Sequence, residues 1–134
     1  MSTPAALVRV MVCDDDPMIR EALSEVLEAE PDLIVVGAAA DADEAIALAG
    51  ELAPEVIILD VRMPGGGGPR AAREILYRAP RTRILAFSAY DDSGTVAEMT
   101  RAGVVEYLLK GTPNTEIVAA VRRAGALREA RETS

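Results

Sequence analysis

Val56-Ile57-Ile58-Leu59-Asp60-Val61-Arg62-Met63-Pro64 is the stretch on which the reading of the fold turns. Four apolar residues in a row, three of them β-branched, read as a strand covered on both faces. That is the pattern of a parallel sheet rather than the in-out alternation of an antiparallel one. The run closes on a carboxylate, and a proline four residues later ends any continuation of the strand.

Runs of the same kind flank it on both sides: Leu7–Cys13, Leu33–Gly37, Arg83–Phe87 and Val104–Leu109. Helical patterns separate them. Ile19, Leu23, Val26 and Leu27 recur at helical spacing behind Asp16-Pro17, a capping residue followed by proline at the first helical position. Asp41 or Asp43 can cap a second helix ending near Gly50. A third runs from Pro69 to Ala79 before Pro80. A fourth begins at Asp91–Ser93 and stops at Gly103, and a fifth follows Pro113 with Ile117, Val118, Val121, Ala124 and Leu127 on one side. Strand and helix thus alternate five times. The expected fold is α/β, a (βα)5 three-layer sandwich in which right-handed crossovers place helices on both faces of a parallel sheet. Strand order 2-1-3-4-5, the flavodoxin-like order, is the common solution for five such units.

Composition sets limits on what this fold can do. The chain has 134 residues, enough for one domain; half are hydrophobic and 27% charged, but only 3% are aromatic, so the core is built from Val, Ile, Leu, Ala and Met. A formal net charge of −8 argues against direct nucleic-acid or anionic-membrane binding by this segment. With one cysteine, Cys13, and no histidine, there is no disulfide framework, no Cys/His zinc site and no Ser-His-Asp catalysis. Cys13 lies in an apolar run and reads as a buried thiol. No run is long enough to span a membrane and the N-terminus has no signal-peptide pattern, so the expected location is cytoplasmic.

Chemistry gathers at the strand ends. In open parallel sheets, sites form outside the carboxyl ends of the strands. The first run ends in Asp14-Asp15-Asp16, the third in Asp60, the fourth in Ser88 and the fifth in Lys110. Asp16, next to Pro17, is the natural helix cap. Capping does not account for Asp60. Strands one and three are neighbours in the expected order, so their carboxylates converge and call for a cation. Mg²⁺ is suited to an all-oxygen site that keeps several waters. Such a cation, with Lys110 as a point charge and the Ser88 hydroxyl as a donor, would let an anionic Asp60 approach a phosphoryl group.

Asp14-Asp15-Asp16-Pro17, Asp60-Val61-Arg62-Met63-Pro64, Ser88-Ala89 and Tyr107-Leu108-Leu109-Lys110, in this order and each at a strand end, resemble the receiver domain of two-component response regulators over residues 7–127. The details lean towards the NarL type. The resemblance implies that Asp60 is the phosphoacceptor, and that Asp15 binds Mg²⁺ directly while Asp14 does so through water, with the backbone carbonyl of Arg62 as a further ligand. It implies that Ser88 and Lys110 contact the phosphoryl group, and that Tyr107 is the switch aromatic that turns inward as Ser88 moves. The domain would be a phosphoacceptor assisting its own phosphorylation and dephosphorylation, not an enzyme acting on a separate substrate. Its donor would be a sensor histidine kinase or a phosphotransfer protein docking at the first helix near Pro17, Met18 and Arg20. The face of the fourth helix, fifth strand and fifth helix would serve a homodimer on phosphorylation, or an output domain if the chain is a fragment. Residues 128–134 read as a tail, a longer last helix or the start of a linker.

The sequence departs from the family pattern in places. Asp16 stands where histidine is common, Gly65-Gly66-Gly67-Gly68 replaces the usual loop, and Gly111 follows Lys110 where many members have proline. The glycine run lacks the Lys-Ser/Thr of a P-loop and reads as a flexible turn leading to a helix. Rival readings fare worse. A haloacid-dehalogenase phosphatase needs a second Asp where Arg62 stands. An FMN-binding flavodoxin would not place three aspartates at its phosphate loop. A degenerate receiver, acting only through protein contacts, is the alternative that keeps the fold.

Overall fold

All five apolar runs become parallel strands, and each helical pattern becomes a helix between or after them. The computed structural model describes residues 7–133. In chain order the elements are β1 (Val8–Cys13), α1 (Pro17–Glu28), β2 (Leu33–Ala39), α2 (Ala42–Leu52), β3 (Val56–Asp60), α3 (Gly67–Arg78), β4 (Arg83–Ser88), α4 (Ser93–Ala102), β5 (Glu106–Leu109) and α5 (Asn114–Thr133). The sheet order is β2-β1-β3-β4-β5, the flavodoxin-like arrangement expected. The segment 128–133 continues α5, and Ser134 lies outside the described residues. Among the described residues no helix is long and apolar enough to cross a membrane.

Alternation along the strands divides the core in two. Met11, Cys13, Ile57, Leu59, Ile84 and Ala86 point to the layer of α2, α3 and α4, where Ala42, Ala45, Ala49, Ala71, Ala72, Ile75 and Met99 meet them. Val10, Val12, Val56, Ile58, Leu85 and Phe87 point to α1 and α5, against Leu23, Leu27, Ile117, Val121 and Ala124. Each fully buried aliphatic chain of this kind contributes about 1.5–3 kcal/mol relative to exposure. Cys13 is buried in the first layer, and burial chiefly, with the charges of Glu44 and Asp14, pushes its thiol far above the usual range, so it stays protonated.

Polar residues set the helix ends. Asp16 accepts a bond from the Met18 N–H at 2.9 Å, with Pro17 opening α1. Asp41, not Asp43, caps α2 through Glu44 N at 2.8 Å, while the Glu44 carboxylate accepts from Ala40 N at 3.0 Å. Asp92 caps α4 through Thr95 N, and the bonds from Thr95 hold its carboxyl below the usual range.

Several element bounds differ from the sequence reading by one or two residues, and three of the differences have a local cause. β2 runs on through Ala38 and Ala39, which pair with Val12 and Cys13 although alanine carries little strand signal. β5 begins at Glu106 rather than Val104. The Val104 N–H bonds to the Met99 carbonyl and helps close α4, so this β-branched residue belongs to a helix end. α3 begins at Gly67, inside the glycine run, where Gly65, Gly66 and Gly67 all have positive φ.

Candidate functional site

The parallel register brings the carboxyl ends of β1, β3, β4 and β5 to one edge of the sheet. Cys13 pairs with Leu59, Asp60 with Phe87, and Ser88 with Leu109. Asp14 follows Cys13, Asp60 follows Leu59, Ser88 follows Phe87 and Lys110 follows Leu109, so the residues the sequence singles out share that edge. Asp14, Asp15 and Asp60 each bring a carboxylate oxygen to within 4.8 Å of the others.

Adjacent aspartates take different environments. Asp14 is 1% exposed; its Oδ1 accepts from the Asp16 N–H at 2.9 Å, and its carbonyl accepts from Arg20 Nη1 at 2.7 Å. Asp15 stands in solvent. Asp60 is 4% exposed and accepts a long bond, 3.4 Å, from the Arg62 N–H. Lys110 Nζ lies 2.9 Å from Asp14 Oδ2 and 3.5 Å from Asp60 Oδ1, one ammonium serving two buried carboxylates. Burial lifts Asp60 to about 6, with the Asp14 charge second and Lys110 opposing both. Burial acts against the Lys110 ammonium, but hydrogen bonding to Asp14 and the charges of Asp60 and Asp14 outweigh it and raise its pKa.

Charge and donors are therefore out of balance in a way that a hard divalent cation corrects. Three carboxylates face one ammonium, and among the described residues Lys110 is the one partner the structure gives Asp14 Oδ2. An oxygen-only donor set with one arm in solvent suits Mg²⁺ with retained waters. Asp15, Arg62, Pro64, Asp92 and Thr95 line an open groove beside the cluster. A second groove, between α1 and α5, reaches Lys110 past Met18, Ile19, Phe87 and Ile117.

Ser88 is buried at the end of β4, and its Oγ accepts from the Tyr90 N–H at 3.0 Å. Tyr107 is half-buried, packs against the α2–α3–α4 layer, and donates its hydroxyl to the Tyr90 carbonyl. Two features of this edge go beyond the sequence reading. Arg20, offered by the sequence for partner contact, ties down the Asp14 carbonyl. The Arg62 guanidinium stacks on the Tyr90 ring, 3.7 Å from its centroid. A basic residue one helical turn past a capping aspartate is a faint signal for the first. Nothing local in the sequence signals the second.

A family model for the response regulator receiver domain matches residues 10–122. Among curated proteins the chain is similar to the uncharacterized transcriptional regulatory protein YxjL of Bacillus subtilis, 41% identical over 117 residues, which is 87% of this chain and 54% of that one. It is also similar to the DNA-binding transcriptional activator DevR/DosR of Mycobacterium tuberculosis, 35% identical over 120 residues, 90% of this chain and 55% of that one. The chain spans about half the length of the curated relatives it matches. Among solved structures it resembles the signal receiver domain of NarL from M. tuberculosis, 38% identical with a TM-score of 0.86, over 90% of this chain and 98% of that one.

Proposed function

The chain belongs to the response regulator receiver domain family, and from that premise we propose that it accepts a phosphoryl group on Asp60 with Mg²⁺ bound, and so switches an output. The observation that carries this reading is the convergence of Asp14, Asp15 and Asp60 at one sheet edge with Lys110 between the two buried carboxylates. A structural ion pair needs one carboxylate, and a second buried carboxylate sharing the same ammonium has a stability cost that a bound cation would offset.

Asp15, Asp60, the carbonyl of Arg62 and, through water, Asp14 would hold Mg²⁺, which supplies the positive charge that lets an anionic carboxylate meet an anionic phosphoryl group. An Asp60 oxygen forms the new O–P bond. The P–N bond of a donor phosphohistidine, or the P–O bond of an acyl phosphate, breaks and its electron pair leaves with the imidazole or acetate. Lys110 offers its ammonium to one phosphoryl oxygen, and Ser88 its hydroxyl to another. Tyr107 follows Ser88, and the face of α4, β5 and α5 changes shape. The domain in this reading is no enzyme in the ordinary sense, because its own side chain is the acceptor.

The donor would be a sensor histidine kinase or a phosphotransfer protein in the cytoplasm, approaching along α1 by the groove that reaches Lys110. By analogy with DevR/DosR, named as a DNA-binding transcriptional activator, the controlled output is DNA binding by a further domain; the face of α4, β5 and α5 would serve dimerisation on phosphorylation.

Intact-mass measurement after incubation with acetyl phosphate tests the reading. The expected result is a gain of one phosphoryl group with Mg²⁺ and none with a chelator. No gain with Mg²⁺, together with no binding of beryllofluoride, would overturn it and leave a receiver that acts through protein contacts alone.

A further inference from the structure

The loop that carries the Arg62 carbonyl is braced from outside itself. It leads from β3 into α3 through Gly65, Gly66 and Gly67, all at positive φ. Glycine loses more backbone freedom on ordering than any other residue. The N-cap of α3 is Gly66, which has no side chain to offer the helix. Arg70, in the first turn of α3, supplies the brace. Its Nη1 donates to the Gly65 carbonyl at 2.7 Å and to Asp43 Oδ1 at 2.8 Å, so one nitrogen joins the loop to the first turn of α2. The Arg70 stem lies on Gly66, where a Cβ would stand 2.8 Å from Arg70 Cδ. Beside it the Ala42 N–H, at the start of α2, donates to the Pro64 carbonyl at 2.9 Å.

Arg62 stands three residues before Gly65 on this stretch, and Met63, Pro64, Gly66 and Gly67 line the groove beside Asp15. Without its brace the loop samples more backbone states, and fewer of them present the Arg62 carbonyl to the carboxylate cluster. A ligand that needs one of those states binds more weakly by the fraction lost. The sign separates this effect from bulk electrostatics. Removing a cation near a carboxylate cluster strengthens the binding of a divalent ion, whereas removing a brace weakens it.

We propose that Arg70 is a positioning residue for the metal, clamping the glycine loop to Asp43 so that the Arg62 carbonyl is held where Mg²⁺ takes it. This rests on the receiver reading given above, in which that carbonyl is a ligand. Arg70 acts through the loop and not on the metal or the phosphoryl group.

The test is a Mg²⁺ titration of the whole chain, read from amide shifts, with cooperative unfolding checked for each variant. Arg70→Ala weakens Mg²⁺ binding about three- to fivefold, the upper range for an exposed ion pair; the Arg70 and Asp43 side chains are 42% and 75% exposed. It also speeds hydrogen exchange at the Ala42 N–H, whose acceptor is in the loop, and leaves the Ala45 N–H, whose acceptor is the Asp41 carbonyl, as it was. Arg70→Lys behaves as wild type, because a single nitrogen makes both bonds. Asp43→Ala weakens binding by a similar factor and adds little in an Arg70→Ala background. Unchanged or tighter Mg²⁺ binding in Arg70→Ala would overturn the clamp. So would an Asp43→Ala effect of equal size with and without Arg70. If Arg70→Ala does not fold, Asp43→Ala decides alone: faster exchange at Ala42 supports the clamp and unchanged exchange overturns it. A wild type that binds no Mg²⁺ would overturn the receiver reading, and the clamp with it.

Discussion

Asp60→Asn is expected to lose the Mg²⁺-dependent phosphoryl adduct entirely and, in the same preparation at pH 7.5 without divalent cation, to be more stable than the wild type by about 1–3 kcal/mol. The first part follows from removing the nucleophile. The second follows from the charge balance at the site. Asp60 is buried, shares Lys110 with Asp14, and holds its proton up to about 6 where an ordinary aspartate lets go at 3.8. The native carboxyl is thus the tighter proton binder. Folding takes up a proton between these two values, stability falls as pH rises through that window, and the penalty is complete above about 6. Solvent near the site screens part of it, which places the effect below the full linkage value. Asparagine keeps the shape and removes the charge, while Lys110 retains Asp14 at 2.9 Å.

Denaturant unfolding across pH checks the sign. The advantage of Asp60→Asn should shrink as pH falls from 6 to 4 and vanish below about 3, where the carboxyl is protonated in both states. Added Mg²⁺ should stabilise the wild type far more than the variant, since a ligand that binds only the native state raises its stability. Equal stabilities at pH 7.5 without cation would mean that Asp60 is not held against its charge, and the carboxylate cluster would lose its argument for a ligand.

How much of this was legible in the sequence depended on whether the signal was local. Strands covered on both faces carry uninterrupted apolar runs, so Val56–Asp60 could be read directly, and the polar residue closing each run marked the site edge. Asp14 and Asp15 are identical neighbours on the page. Which one turns under Lys110 and which faces solvent is decided by the α1 loop, where Asp14 Oδ1 accepts from Asp16 N and Arg20 holds the Asp14 carbonyl. Val104 has the composition of a strand and the hydrogen bond of a helix end. Arg62 and Tyr90 meet only because β3 and β4 are neighbours in the sheet, a relation with no periodicity to betray it. The glycine run was legible as a turn leading to a helix, and the structure has a turn at Gly65 and Gly66 with α3 from Gly67; what no local signal gave is how closely Gly68 approaches β3.

Gly68 yields a second prediction from that approach. It does not need a positive φ, so conformational freedom does not explain it. A Cβ at Gly68 would stand 2.7 Å from the carbonyl oxygen of Asp60 and 2.8 Å from Val61 Cα, while the Gly68 N–H donates to the Val61 carbonyl at 2.8 Å. These are backbone atoms at the end of β3, and no rotamer change relieves the contact. Gly68→Ala must part α3 from the strand that presents Asp60. It is expected to destabilise by about 1–3 kcal/mol, overpacking outweighing the better helix propensity of alanine, and to slow phosphorylation because the nucleophile's own backbone shifts. Gly50→Ala is the matched control. Gly50 is an exposed residue inside α2, and nothing lies within 4 Å of its would-be Cβ. There the same substitution should stabilise by about 0.5–1 kcal/mol and leave phosphorylation alone. Urea midpoints with unchanged slopes would report both. If the two substitutions moved stability in the same direction, close approach of the α3 terminus to the Asp60 carbonyl would not be what selects glycine at position 68.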